Sequence, residues 1–242
     1  MVGAALLAGR TALKCGAGRV TLGVLDKTVA VDYVQPEVMF ASPENLIRDG
    51  HLSVLAIGPG LGQSEWAYAL LERALAISRP LVVDADGLNL LAAHPEMRTL
   101  LKSRTHGTLL TPHPGEAARL LGLGVKDIQA KREEAATEIA ASFHAMVVLK
   151  GAHSVISRPD GTISVNTSGC PAMAAAGMGD VLTGLIAGLI AQGVEPSRAL
   201  ESAVYLHGAA GELVWKDRQQ PPSIAATDLI EVVPQLLSKA AA

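Results

Sequence analysis

Short apolar runs alternate along this chain with segments of helical periodicity, and that alternation leaves few architectures open. A run too short for a core helix, yet apolar at consecutive positions, is a strand buried on both faces, and parallel sheets covered by helices provide such places. The runs predict strands at Arg19 to Leu25, Ser53 to Ile57, Pro80 to Asp84, Gly107 to Thr111, Met146 to Lys150, Ser154 to Ser157 and Thr162 to Val165. The turn Arg158-Pro159-Asp160-Gly161 makes the last two a hairpin at one side of the sheet. Periodicity predicts helices at Ala4 to Lys14, Glu65 to Ile77, Glu116 to Leu121, Lys126 to Phe143, Asp180 to Ala191, Ser197 to Lys216 and Asp228 to Lys239, the last interrupted or kinked by Pro234. Thr227-Asp228 reads as its cap.

Composition sets the bounds. With 242 residues, 49% of them hydrophobic, the chain can bury the core of one large α/β domain spanning residues 1–242, and no linker or repeat divides it. A net charge of -3 without a basic block excludes a nucleic-acid partner. No apolar run reaches the ~18–20 residues of a membrane span, and the start reads as a helix, not a signal peptide. Cys15 and Cys170 have no neighbours at disulfide-framework or zinc spacing, which fits a reducing cytoplasm.

The chemistry gathers at strand ends. Gly177-Met178-Gly179-Asp180 opens a long apolar helix, where glycines let the chain turn tightly and free N–H groups can converge on an anion. Asp180 is there either a helix cap or a base able to take the proton of a hydroxyl attacking a phosphate, and one residue can be both. Lys150-Gly151 ends a buried strand, as a ligand-facing cation or as a lysine snorkelling from the sheet. Thr111-Pro112-His113-Pro114-Gly115-Glu116 presents His113 on a rigid loop, with Glu116 a first-turn carboxylate or the partner of a hydrated cation. Gly58-Pro59-Gly60-Leu61-Gly62 is a turn or a close approach to ligand. In Asp84-Ala85-Asp86-Gly87-Leu88-Asn89, Asp86 reads as a helix cap and Asp84 as the carboxylate better placed to face a cleft. Together these ends point to an enzyme cleft for a phosphorylated ligand, without a Walker loop or a dinucleotide fingerprint. His207, Trp66 and Trp215 read as packing residues, and Lys131-Arg132-Glu133-Glu134 as a solvated, ion-paired helix face.

Taken in order, Gly3-Ala4-Ala5, Cys15-Gly16-Ala17-Gly18, Gly58-Pro59-Gly60-Leu61-Gly62, Asp84 to Asn89, Thr111 to Glu116, Lys150-Gly151 and Gly177-Met178-Gly179-Asp180 resemble the ADP- or ATP-dependent NAD(P)H-hydrate dehydratases over almost the whole chain. The resemblance implies a ribokinase-like three-layer α/β/α sandwich with a mostly parallel central sheet. It also implies a hydro-lyase that repairs the S-form 6-hydroxy hydrate of NADH or NADPH, with ADP ahead of ATP as phosphoryl donor and Mg2+ on the phosphates. By family pattern Asp180 is the base, and the N–H groups of Gly177 to Gly179 form the anion hole. Lys150, Gly151, Ala152, His153, Ser154 and Gly179 contact the adenine nucleotide, and Ala4, Gly60, His113 and Asp180 contact the hydrate. Glu116 is the one candidate named for the metal. A homo-oligomer, tetrameric by analogy, is implied as well.

Two stretches depart from the family pattern. Gly169-Cys170-Pro171-Ala172-Met173 and Gly177-Met178-Gly179-Asp180 stand where members commonly read Gly-Asn-Pro-Gly-Met and Gly-Thr-Gly-Asp. An amide at 170 and a hydroxyl at 178 are lost, which bears on nucleotide positioning and rate, while the backbone donors survive. The apolar strand that members carry before the segment matching Gly3 has no counterpart, so the expectation is the carboxyl-terminal half of a bifunctional protein with an epimerase, or a start placed late. Two rivals share parts of the pattern. One is a small-molecule kinase of the same superfamily, acting on a sugar, hydroxymethylpyrimidine or thiazole alcohol; the other is a non-catalytic nucleotide-binding domain, to which a retained Asp180 would be superfluous.

Overall fold

A computed structural model describes residues 1–24 and 30–240; Leu25, the end of the first expected strand, lies outside them. In chain order the elements are α1 (Val2–Lys14), β1 (Thr21–Gly23), β2 (Met39–Ala41), α2 (Pro43–Arg48), β3 (Leu55–Ile57), α3 (Glu65–Leu75), β4 (Leu81–Val83), α4 (Ala85–Ala93), α5 (Met97–Lys102), β5 (Thr108–Leu110), α6 (Pro114–Leu121), α7 (Val125–Ala130), α8 (Arg132–Phe143), β6 (Met146–Leu149), β7 (Val155–Ser157), β8 (Ile163–Val165), α9 (Met178–Ala191), α10 (Pro196–Asp217) and α11 (Ala226–Ala240). They group into two compact units, Met1–Asp49 with Thr167–Ala242, and Gly50–Asn166.

The Gly50–Asn166 unit holds a six-stranded sheet of order β3-β4-β5-β6-β7-β8. Strands β3 to β6 are parallel, in register Leu55↔Leu81, Leu81↔Thr108 and Leu109↔Met146. Their carboxyl ends therefore share one edge. The expected hairpin closes the other side: β7 and β8 are antiparallel, and Gly161 N–H donates to Arg158 O in the turn. Because β8 runs in the direction of β6, the chain leaves Val165 at that same edge. Leu81, Val82 and Val83 are all buried, as are Val147 to Leu149, which is why these strands are apolar at consecutive positions. Leu71, Leu88, Leu91, Leu110, Ile139 and Phe143 fill the core around them.

In the other unit β1 and β2 pair in parallel, Thr21 opposite Met39. Helix α9 is buried from Val181 to Ile190, so it is apolar all round and not only along one stripe. Helix α1 lies directly on it at two glycines: a Cβ on Gly184 would stand 2.3 Å from Ala8 O, and one on Gly188 2.7 Å from Cys15 Cβ. Burial there pushes the Cys15 thiol up to about 11, and both cysteines are free. Among the described residues no helix is long and apolar enough to cross a membrane.

Several expectations need correction. The helix expected over Lys126 to Phe143 is two, because Lys131 leaves helical geometry at φ -139° and ψ 56°. No glycine or proline marks that break. It aims Arg132 inward, where its guanidinium donates to Leu149 O at 2.9 Å, so only Lys131 and Glu134 form the expected solvated ion pair. Pro234 does not interrupt α11; it lies on the exposed side, where water can take the carbonyl that proline leaves without a donor. The helix begins before Thr227-Asp228, and Asp228 accepts Ala225 N–H from the first turn while pairing with Arg218. Strand β2 and the short helices α2 and α5 were not expected.

Candidate active site

At the shared edge of the six-stranded sheet, four expected strand ends come together. Gly58, at φ +125°, passes so close to the end of β4 that a Cβ would lie 1.8 Å from Asp84 O, so only glycine fits. Gly60 follows at φ +70°, and Gly62 N–H donates to Asp86 Oδ2 at 2.8 Å. The expected cap role of Asp86 changes accordingly. Asp84 occupies the N-cap position of α4, and Asp86, expected as the cap, sits in the first turn with its carboxylate holding the glycine loop.

Asp84 is nearly fully buried and receives the Lys150 ammonium at 2.8 Å, with Glu116 Oε2 3.9 Å from the same nitrogen. The lysine does not snorkel outward; it turns into the sheet edge and joins β4, α6 and β6. Burial raises the pKa of Glu116, and Lys150 opposes that rise. His113 caps α6: its Nδ1 accepts Gly115 N–H at 2.9 Å, while Glu116 Oε2 accepts His113 N–H at 2.7 Å. With Nδ1 an acceptor, the imidazole proton belongs on Nε2, 3.3 Å from Glu116 Oε1. Burial, then Lys150 and Arg119, holds the His113 pKa below its ordinary value, so the ring is neutral near pH 7. Lys150 to Ser154 form a tight turn exposed at Gly151 to His153, with Gly151 at φ +147°, His153 at φ +55° and Ser154 Oγ donating to Gly151 O at 3.0 Å.

The remaining expected residues lie in the other unit. Gly177, at φ +85°, is the N-cap of α9, and a Cβ there would meet Leu7 Cδ1 at 2.6 Å. Met178, Gly179 and Asp180 make the first turn, the part of a helix whose N–H groups point outward along the axis toward an anion. Asp180 is half-buried, and Ala4 is buried on α1. The stretch through Cys170 is seated on α10: Ser168 Oγ donates to Tyr205 O at 3.0 Å, and Gly169 N–H donates to Glu212 Oε1 at 2.7 Å. Gly208 and Gly211 make room for it, since a Cβ on either would lie about 2 Å from Ser168 Oγ or Met173 Sδ. Nothing in the residue pattern marks Glu212 for this role; it is one carboxylate within a long helical pattern.

Among the described residues no three of His, Cys, Asp and Glu converge on a cation site, and the Asp84–Glu116 carboxylate pair already faces the Lys150 ammonium.

Helices with a mostly parallel sheet, polar residues at one sheet edge and a glycine turn opening an apolar helix define the ribokinase-like α/β/α class. A solved ribokinase-like superfamily protein from Enterococcus faecalis matches with a TM-score of 0.82 at 26% identity, covering 98% of this chain and 82% of that one. The family model for NAD(P)H-hydrate dehydratase matches residues 1–235, and the chain belongs to that family. The ADP-dependent (S)-NAD(P)H-hydrate dehydratase of Bacillus subtilis is 37% identical over 98% of this chain and 84% of its own length. A crystal structure of the Bacillus subtilis ADP/ATP-dependent enzyme, co-crystallized with ATP/Mg2+, matches with a TM-score of 0.85 over 99% of this chain and 85% of that one, at 34% identity. The bifunctional NAD(P)H-hydrate repair enzyme Nnr of Moorella thermoacetica is 42% identical over 98% of this chain and 47% of its own length. The chain thus spans about half the length of the bifunctional relatives it matches.

Proposed function

We propose that the chain dehydrates the S-form hydrates of NADH and NADPH back to the dihydronicotinamide, with ADP ahead of ATP as phosphoryl donor. The observation that carries this reading is the first turn of α9, where an anion-ready helix start and the Asp180 carboxylate coincide. Asp180 takes the proton of the 6-hydroxyl as its oxygen attacks the terminal phosphorus of the nucleotide, and the bond from that phosphorus to the bridging oxygen breaks, so that AMP leaves from ADP, or ADP from ATP. The N–H groups of Gly177 to Gly179 stabilise the charge on the moving phosphoryl group. Phosphate is a far better leaving group than hydroxide. It departs from carbon 6, the neighbouring carbon loses a proton, and the ring double bond returns.

In this reading Lys150, Gly151, Ala152, His153, Ser154 and Gly179 are contacts to the nucleotide, and Ala4, Gly60, His113 and Asp180 are contacts to the hydrate. The tight turn from Lys150 to Ser154 and the neutral, capped His113 support those assignments. Bound to the nucleotide phosphates, Mg2+ would offset their charge; with no cage among the described residues, it would arrive with them. An epimerase of the same hydrate, fused or separate, a homotetrameric assembly and a cytoplasmic location complete the proposal.

Product stoichiometry tests it. Incubated with NADH hydrate, ADP and Mg2+, the chain releases one phosphate for each dihydronicotinamide regained. A stable phosphorylated product without phosphate release would make it a small-molecule kinase instead.

A further inference from the structure

Arg132 occupies a costly position. It is the first residue of α8, the helix end at which the dipole disfavours a cation, and the helical pattern breaks at Lys131 to put it there. Its Nε is buried without a hydrogen-bond partner, burial lowers its pKa, and among the described residues no carboxylate pairs with it. What the guanidinium holds is backbone at the end of β6. Nη2 donates to Leu149 O at 2.9 Å and to Lys150 O at 3.4 Å, while Nη1 donates to Gln129 Oε1 at 2.9 Å. Gly151, at φ +147°, crosses over this fork: a Cβ there would lie 3.0 Å from Nη1 and 3.1 Å from Nη2.

In a planar trans peptide the N–H points away from its own carbonyl. Two carbonyls turned to Arg132 therefore send the Lys150 N–H to Pro112 O at 2.8 Å and the Gly151 N–H toward Ser154 Oγ at 3.3 Å. Asn166 N–H closes the far end of the turn on Ser154 O at 2.9 Å. The exposed residues between, Gly151 to His153, are carried on a frame whose near end is Arg132.

We propose that Arg132 is a positioning residue for the adenine nucleotide, fixing the peptide planes from Leu149 to Gly151 so that the turn meets the nucleotide already in its binding shape. Its unpaired charge beneath the turn also favours an anionic ligand over a neutral one. The assignment rests on the proposed reading of Lys150 to Ser154 as nucleotide contacts. It adds that a residue outside those contacts sets the affinity of the turn.

The test measures the Kd of ADP by calorimetry, and KM and kcat against ADP and NADH hydrate, for wild type, Arg132→Met, Arg132→Lys and Gly151→Ala. Arg132→Met keeps the apolar stem and removes the fork. Its Kd and KM for ADP should rise about tenfold, with kcat at saturating ADP within about threefold and KM for the hydrate unchanged. Arg132→Lys, which keeps the charge but not the fork, should fall between. A purely structural role would lower the folded fraction, and with it kcat, while Kd and KM for ADP stayed at wild-type values; that result overturns the proposal. Weaker ADP binding in Gly151→Ala but not in Arg132→Met overturns the positioning role and leaves the turn as a nucleotide contact. Unchanged binding in both removes the contact assignment and the positioning role together. If Arg132→Met does not fold, Arg132→Lys decides: weaker ADP binding supports the proposal, and equal binding overturns it. If wild type binds ADP but restores no hydrate, the dehydratase reading falls, and the Kd comparison still decides the role of Arg132.

Discussion

Lys150 Nζ and Asp84 Oδ1, 66 positions apart in the chain, meet at 2.8 Å where β4 and β6 end, with the Asp84 side chain only 2% exposed. Glu116 Oε2 stands 3.9 Å from the same ammonium, which therefore faces two buried carboxylates. The pairing fixes the ends of strands whose loops carry the proposed nucleotide and hydrate contacts.

Removing the cation alone is therefore expected to be costly. Breaking a buried pair from one side leaves an uncompensated charge, typically about 3–5 kcal/mol, whereas removing both partners is far milder. Lys150→Met should lose about 3 kcal/mol in denaturant unfolding, and adding Asp84→Asn should restore part of it. A single variant as stable as wild type would show that the pair carries no such weight.

The His113 ring gives a pH signature. Its folded pKa lies below the ordinary value near 6.5, for reasons of burial and of the Lys150 and Arg119 charges. The unfolded chain therefore binds more protons just below that pH, and stability falls as pH drops through the interval from 6.5 to the folded value. His113→Asn keeps a good N-cap but has nothing to titrate. Thermal unfolding from pH 8 to pH 5 should show wild type losing more than the variant; parallel curves would contradict the shift.

Two glycines of one loop separate space from backbone strain. A Cβ on Gly58 would collide with Asp84 O at 1.8 Å, while Gly62, at φ +79°, has nothing within 4 Å. Gly62→Ala should cost about 1–2 kcal/mol, the left-handed penalty alone. Gly58→Ala should cost distinctly more, because the ends of β3 and β4 must separate. Equal losses in chemical unfolding would mean that the close approach is not what holds the loop.

Much of this was legible in the sequence, and the exceptions have physical causes. The expected strands at the centre of the six-stranded sheet appear because burial on both faces demands consecutive apolar residues, as at Leu81 to Val83 and at Leu109 and Leu110. Strand β2 lies in the four-residue apolar run Val38 to Ala41, but Met39 in it is exposed, and among the described residues the strand pairs with β1. The break at Lys131 hides inside a good helical pattern, because what it achieves, Arg132 on Leu149 O, is a tertiary contact. Asp84 and Asp86 were both visible as carboxylates, but which one meets Lys150 and which one holds Gly62 depends on chain segments far apart in sequence.

Asp180 separates chemistry from binding. Asp180→Asn keeps size and helix-start polarity but cannot accept the hydroxyl proton. Turnover should fall by about 100-fold or more, in the range of a lost general base, while ADP binding by calorimetry stays within about threefold. Retained turnover would remove Asp180 from the role of base.

The most direct measurement is the return of near-ultraviolet dihydronicotinamide absorbance from NADH hydrate, followed with Mg2+ and ADP, ATP or no nucleotide. Recovery that requires a nucleotide, faster with ADP than with ATP, is the predicted result. A folded protein that restores no absorbance with either nucleotide would contradict the proposed dehydratase.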